Sequence, residues 1–251
     1  MSIGREQVEA YENEGVLSPV PVAAEAEATR YRQLFDELEA KVGKEKAQIG
    51  LLDAHFQERF IWELATHPRV LGAVEALIGP DILLLATHFF CKYGQSLQSD
   101  AFVAWHQDVT YWGLDPAVAI TAWYAVDDSD VGNGCMRVIP GTHNAGIYTH
   151  HKSEQEGNLL SINQTVVVSK AEERRAVDLI LRAGEMSLHD GLLVHGSLPN
   201  GSSRRRCGLT LRYIPTRVRQ GQDNSVGARW QTILVCGQDR EYHFTTRRPP
   251  F

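Results

Sequence analysis

Apolar residues recur at helical spacing through the first eighty positions, and the pattern then changes to short apolar and β-branched runs. Gln7-Val8-Glu9-Ala10-Tyr11 leads to Gly15, a residue suited to stopping a helix. Positions 23–41 are rich in Ala, Glu, Leu and Arg, and Tyr31, Leu34, Phe35, Leu38 and Val42 recur on one helical face. A third helical stretch is expected over 56–78, breaking near His67-Pro68 and stopping at Gly79-Pro80. After Asp81, the runs 82–93, 117–126, 136–139, 179–182, 186–188 and 206–214 read as strands separated by Gly, Pro, Asn or Asp. Such a series predicts a sandwich or barrel rather than a parallel α/β sheet. The polar, His-rich run 148–157 has no periodicity and is expected to be a loop or lid. No linker divides the chain. The expectation is therefore one domain over 1–251, with a mostly helical wrap over 1–80 and a jelly-roll core over 81–235.

Composition narrows the partners. Lys and Arg number 25 against 31 Asp and Glu, a formal charge of -6, and no basic run extends beyond Arg204-Arg205-Arg206. A nucleic-acid partner is not expected. The four cysteines form no CxxC pair, which fits reduced thiols in a cytoplasmic protein. The N-terminal residues contain no apolar signal-like core, and the most apolar run, 82–90, is too short to span a bilayer. A soluble protein without membrane attachment is the expectation.

The candidate chemistry lies in Trp105-His106-Gln107-Asp108, answered by Val194-His195-Gly196-Ser197 and then Arg206. His-x-Asp alone is weak in a chain with ten histidines. On an extended segment, however, residues two apart point the same way, so His106 and Asp108 can reach one ion together. Adding His195 makes two imidazoles and one carboxylate, a set that holds a divalent metal on one face and leaves the other open. Period-2 alternation puts Arg206, Gly208, Thr210, Arg212 and Ile214 on one strand face. The planar fork of Arg206 matches a carboxylate in two-point contact.

Together, Phe89-Phe90-Cys91-Lys92-Tyr93, Trp105-His106-Gln107-Asp108, Ala122-Trp123, the run Asn133-Gly134-Cys135-Met136-Arg137-Val138-Ile139-Pro140-Gly141-Thr142-His143, and His195-Gly196-Ser197 with Asn200 and Arg206 resemble the phytanoyl-CoA dioxygenase family. The resemblance spans roughly residues 82–215. It implies a mainly β double-stranded β-helix (jelly roll, cupin-like) with N-terminal helices. It also implies an iron(II)- and 2-oxoglutarate-dependent oxygenase that consumes O2 and releases succinate and CO2. On this pattern His106, Asp108 and His195 would be the iron ligands. Arg206, helped by Ser197, would hold the distal carboxylate of 2-oxoglutarate, with Trp123 a lesser candidate for the pocket wall. Lys92 occupies a position from which a polar group can approach, although a solvated lysine is the simpler expectation. Asn133-Gly134 and the run from Pro140 to His143 are assigned to shaping a hairpin and its exit, with His143 outside the metal site. Halogenases resembling this family carry Ala or Gly where Asp108 stands, so hydroxylation, or a related desaturation or ring closure, is favoured.

A zinc hydrolase on the same three ligands, or a non-catalytic cupin-like binding protein, remains open from the residues alone. The substrate is expected to be a small metabolite or natural-product intermediate, since no extended basic cradle for a nucleotide is evident. Arg212, Arg137, Lys92, His150, His151 and Lys152 are candidates for attracting an anion. Tyr111, Trp112 and Met136 are candidates for an apolar pocket lining.

Overall fold

A computed structural model describes residues 3–94, 100–153, 155–160, 164–221 and 229–251. In chain order it contains α1 (Arg5–Glu14), β1 (Val16–Pro21), α2 (Glu25–Val42), α3 (Lys44–Ile49), α4 (Arg59–Ala65), α5 (Pro68–Ile78), β2 (Ile82–Lys92), β3 (Val103–His106), β4 (Leu114–Asp115), β5 (Ile120–Ala125) and β6 (Met136–Val138). It continues with β7 (His150–Lys152), β8 (Gln164–Val166), α6 (Lys170–Glu173), β9 (Val177–Leu179), β10 (Glu185–Asp190), β11 (His195–Ser197), β12 (Arg206–Pro215), β13 (Arg219–Gln220), β14 (Gln231–Cys236) and β15 (Thr245–Arg247).

The helices end where the sequence marks them. Gly15 caps α1 at φ 75°, and Pro68 opens α5 at a position where its missing N–H costs nothing. Tyr31, Phe35 and Leu38 form the buried stripe of α2. Two elements of the first eighty residues depart from the helical expectation. α3 was not legible, and Val16–Pro21 is a strand that pairs antiparallel with β10. Two prolines in six residues suit an edge strand, where unpaired N–H groups face outward.

Seven strands form the larger sheet in the order β1-β10-β5-β12-β2-β14-β15, and four form the smaller one in the order β3-β11-β6-β9. All pairings in both sheets are antiparallel except β14 with β15. The larger sheet is apolar on its outer face and mixes apolar with polar and charged residues on its inner one. Its outer face presents Phe89, Tyr124, Leu209, Leu211 and Tyr213 to helix residues such as Phe35, Ile61, Leu64 and Val74. Phe35 and Phe89 meet with ring centroids 4.7 Å apart, and the Tyr213 hydroxyl donates to the Ala65 carbonyl at 2.8 Å. Its inner face joins Trp123 and Ala125 to Met136, Val138, Leu179 and Leu193 from the smaller sheet and its flanks. This two-layer, mainly β architecture is the expected jelly roll, with the chemistry between the layers.

The tail is docked: β15 pairs with β14, Arg247 lies over the Phe56 ring at 4.7 Å, and the Phe251 ring lies under Arg59 at 4.8 Å. Within 148–157, His150–Lys152 forms a short hairpin with Gln164–Val166, so the stretch is only partly the irregular loop expected. Among the described residues, no helix is long and apolar enough to cross a membrane.

Two histidines, His55 buried and His88 half-buried, tie the helical layer to β2. His55 Nδ1 meets Thr87 Oγ1 at 2.8 Å, and His88 Nε2 meets the Ile49 carbonyl at 2.5 Å. Burial, reinforced by the Arg247 charge for His55 and the Arg212 charge for His88, pushes each down to about 4. The unfolded chain therefore binds the extra protons between about pH 6.5 and 4, and stability should fall as pH drops through that window. Thermal midpoints measured from pH 7 to 4 should decline, with a shallower decline in His55→Gln. Tyr213→Phe should cost about 1 kcal/mol in denaturant unfolding, because the Ala65 carbonyl loses its partner.

Candidate metal centre

His106 and His195 face each other across an antiparallel pair. His106 ends β3, His195 opens β11, and the two are directly opposite in register with ring centroids 4.1 Å apart. A turn with Leu193 N bonded to Asp190 O precedes His195, and the strand starts there. Gln107 keeps an extended backbone (φ -122°, ψ 132°), so Asp108 projects to the same side as His106 before the chain turns into a short 3-10 helix. Gln107 itself points away. Its amide group donates to Gly146 O at 2.9 Å and Leu192 O at 2.6 Å and accepts from Tyr148 N at 2.8 Å, fixing the strand end.

Ligand atoms of His106, Asp108 and His195 lie within 4.8 Å of one another, and all three residues are buried. The hydrogen bonds around them test whether they fit a cation. His106 Nδ1 lies 2.9 Å from the carbonyl of Ala104, and His195 Nδ1 lies 3.0 Å from that of Leu193. A carbonyl requires Nδ1–H, so each Nε2 carries its lone pair toward the shared centre. Burial, then the neighbouring His106 and His189, drives His195 well below the usual imidazole range and keeps it neutral. Burial works against the Asp108 charge. Even so, His106 and His189 beside it, with His195 and Arg212 nearby, hold its carboxyl well below the usual carboxylate range. Two imidazoles turned to present Nε2, beside an ionised carboxylate, are the donor set that a divalent cation takes. The arrangement fits.

Sequence reasoning missed His189 and Thr121. Thr121 Oγ1 donates to Asp108 Oδ2 at 2.8 Å, and His189 Nε2 lies 3.5 Å from the same oxygen. The His189 ring also packs on His195 at 4.5 Å. The expected strand over 186–188 stopped two residues short of the observed end at Asp190. Extended to Asp190, its alternation puts Ser187 and His189 on one face, a legible signal.

At the other end of the same cavity stand Arg206, Ser197 and Trp123. Arg206 donates through Nε and Nη2 to Gly134 O at 3.1 and 2.8 Å and through Nη2 to Ser197 Oγ at 3.3 Å. Trp123 lies under its guanidinium, 5.3 Å from ring centroid to Cζ. The indole can lie there because position 208 is glycine: a Cβ would stand 2.0 Å from a ring carbon. Trp123 also belongs to the apolar cluster between the sheets, so it serves as core and wall at once.

Lys92 corrects the solvated expectation. It is buried opposite Arg206 in the β2–β12 pair, and its Nζ donates to Ser197 Oγ at 2.6 Å, to Gly134 O and to Leu198 O. Burial, then the Arg206 charge, pulls its ammonium well below the usual range, and burial brings Arg206 down to about 10. Among the described residues, no carboxylate forms an ion pair with either cation. The adjacent Arg205 points the other way and takes the acids instead, binding Asp127, Asp36 and Glu39.

Other candidates sort clearly. Arg137 pairs with Asp178 at 2.8 Å across β6–β9, and His150 is engaged by Gln107 N and Tyr148 O, so neither is available to an anion. His151 and Lys152 are exposed on β7. His143 binds Glu12 O, away from the centre. Met136 and Trp112 line cavities beside the triad, while the Tyr111 side chain lies outside the described residues.

A sequence profile described as Phytanoyl-CoA dioxygenase (PhyH) matches residues 11–208. The peroxisomal phytanoyl-CoA dioxygenase of Bos taurus is 26% identical over 229 residues, covering 83% of this chain and 67% of that protein. Among solved structures, a non-heme monooxygenase, apo ThoJ, superposes with a TM-score of 0.78 at 29% identity, covering 97% of this chain and 88% of that one. The non-heme alpha-ketoglutarate-dependent epimerase SnoN from nogalamycin biosynthesis has the same fold, with a TM-score of 0.69 at 22% identity over 86% of this chain and 84% of that one.

Titration of the protein with Co(II) or Mn(II) should saturate at one ion per chain. Thr121→Val, which frees Asp108 Oδ2, should weaken that binding about 10–100-fold. His106→Ala or His195→Ala should weaken it further.

Proposed function

This chain belongs to the phytanoyl-CoA dioxygenase family, and from that premise we propose that it is an iron(II)- and 2-oxoglutarate-dependent oxygenase hydroxylating a C–H bond of a small metabolite or natural-product intermediate. The helices and both sheets are read as one oxygenase domain. His106, Asp108 and His195 hold the iron, and Arg206 binds the distal carboxylate of 2-oxoglutarate with Ser197 beside it and Trp123 as the wall. The observation that carries the reading is the pairing of the triad with two buried cations, Lys92 and Arg206, that have no carboxylate partner among the described residues. Buried charge is stable only when compensated, and a dicarboxylate bridging from the triad supplies the missing anion.

When bound, the iron supplies the redox centre at which O2 and 2-oxoglutarate become succinate and CO2 with oxidation of the substrate. The protein's own residues do the positioning. The carbonyl contacts of His106 and His195 at Nδ1 orient both imidazoles, and Thr121 steadies Asp108. Trp123, Val103 and Met136 exclude water around the co-substrate. Asp108 occupies the place that a halide would need, which favours hydroxylation over halogenation. A zinc hydrolase on the same ligands would leave the Lys92–Arg206 pair without a purpose.

Protein loaded with Fe(II) without oxygen, then given 2-oxoglutarate, O2 and a substrate panel, should release succinate. His106→Ala and His195→Ala should reduce that release to background without losing the fold. Arg206→Ala should weaken 2-oxoglutarate binding by about 2–5 kcal/mol. Unchanged affinity there would remove Arg206 from its assigned role, and zinc retention without any succinate would favour the hydrolase.

A further inference from the structure

We propose that Arg212 anchors a carboxylate on the primary substrate, and that this protein acts on carboxylic acids with an apolar body. The inference rests on the oxygenase reading only in giving the Arg206 end of the cavity to the co-substrate.

Arg212 is buried, at 8% exposure, and points from the inner face of β12 into the space beside the triad. Its Nε has no hydrogen-bond partner, and among the described residues it forms no ion pair. The Trp112 ring lies 5.5 Å from its Cζ, an aromatic face against the guanidinium. The two carboxylates that sense its charge are committed elsewhere. Asp108 belongs to the triad and accepts from Thr121, and Asp53 accepts from the Thr87 amide at 2.9 Å. His88, in the same cavity, is engaged by the Ile49 carbonyl. A desolvated guanidinium left this way is costly until an anion completes it, and its planar fork accepts a carboxylate at two points.

The position of Arg212 excludes the co-substrate as that anion. Arg206 and Arg212 share one face of β12 six residues apart, roughly 20 Å along the strand. A five-carbon diacid cannot serve both. Arg212 borders the triad end of the cavity that holds Arg206, and it also borders a second cavity of about 520 Å3 lined by His106, Asp108, Leu52, Trp112, Leu160 and Trp230. That volume suits a small molecule. Its walls are mostly apolar, and among the described residues Arg212 is the only arginine or lysine lining it. One cation and apolar walls match a single carboxylate on a hydrocarbon or aromatic body. They do not match a polyphosphate carrier.

The test uses the full chain with Mn(II) and 2-oxoglutarate, without oxygen, titrated with matched acid and amide pairs: octanoate and octanamide, and 4-phenylbutanoate and 4-phenylbutanamide. Tryptophan fluorescence reads binding, since Trp112 and Trp230 line the cavity. The wild type should bind at least one acid about tenfold or more tightly than its amide. Arg212→Gln should bring the two within about twofold, and Arg212→Lys should keep part of the preference, with melting curves confirming that both variants fold. Absence of any acid preference in the wild type overturns the proposal, as does a preference that survives Arg212→Gln. Competition between the acids and 2-oxoglutarate overturns it too, because Arg212 would then belong to the co-substrate. A wild type that binds no 2-oxoglutarate sinks the oxygenase reading alone, and the acid-to-amide ratio still decides Arg212.

Discussion

The pairing of β3 with β11 is the constraint on which the rest of the centre depends. It sets two imidazoles opposite each other across one ladder rung, where cross-strand side chains are closest. Backbone hydrogen bonds therefore hold the spacing, and flexible side chains need not find it. Gln107 then holds the backbone extended for one more residue, which delivers Asp108 to the same point. The larger sheet closes the arrangement from above through Thr121 and His189.

The second organising feature is positive charge buried without protein acids to answer it. Three cations, Lys92, Arg206 and Arg212, face the interior from β2 and β12, while Arg205 collects three acids on the outer side. Strand alternation achieves this segregation: adjacent residues point to opposite faces, so neighbouring arginines acquire opposite roles. The folded protein bears the desolvation cost, which small anions would recover on binding in the proposed reading. Gly134 softens the cost at one end, since its carbonyl accepts from both Lys92 and Arg206.

The helical layer contributes indirectly. Phe35 against Phe89, Tyr213 to Ala65, and His88 to Ile49 press the outer helices onto the larger sheet. The strands carrying the inner charges are thereby held between two apolar layers. Arg205 binds Asp36 and Glu39 of α2 and so fixes the start of β12, one residue before Arg206.

Local pattern by itself determined the helices ending at Gly15 and Gly79, the break at Pro68, the long strands β2 and β12, and the common face of Arg206 and Arg212. Each depends on backbone preferences or on a periodicity contained within a few residues. The triad was legible as residue types, because His-x-Asp on an extended segment constrains direction even before a partner is known. Tertiary structure decided what stands beside those residues. Lys92 became a buried cation because β2 lies next to β12, and Arg137 was withdrawn because Asp178 faces it across a rung. His189 joined the centre through a sheet neighbour, Thr121. Pairing partners are chosen by the packing of distant segments, and no window along the chain contains both sides of such a contact.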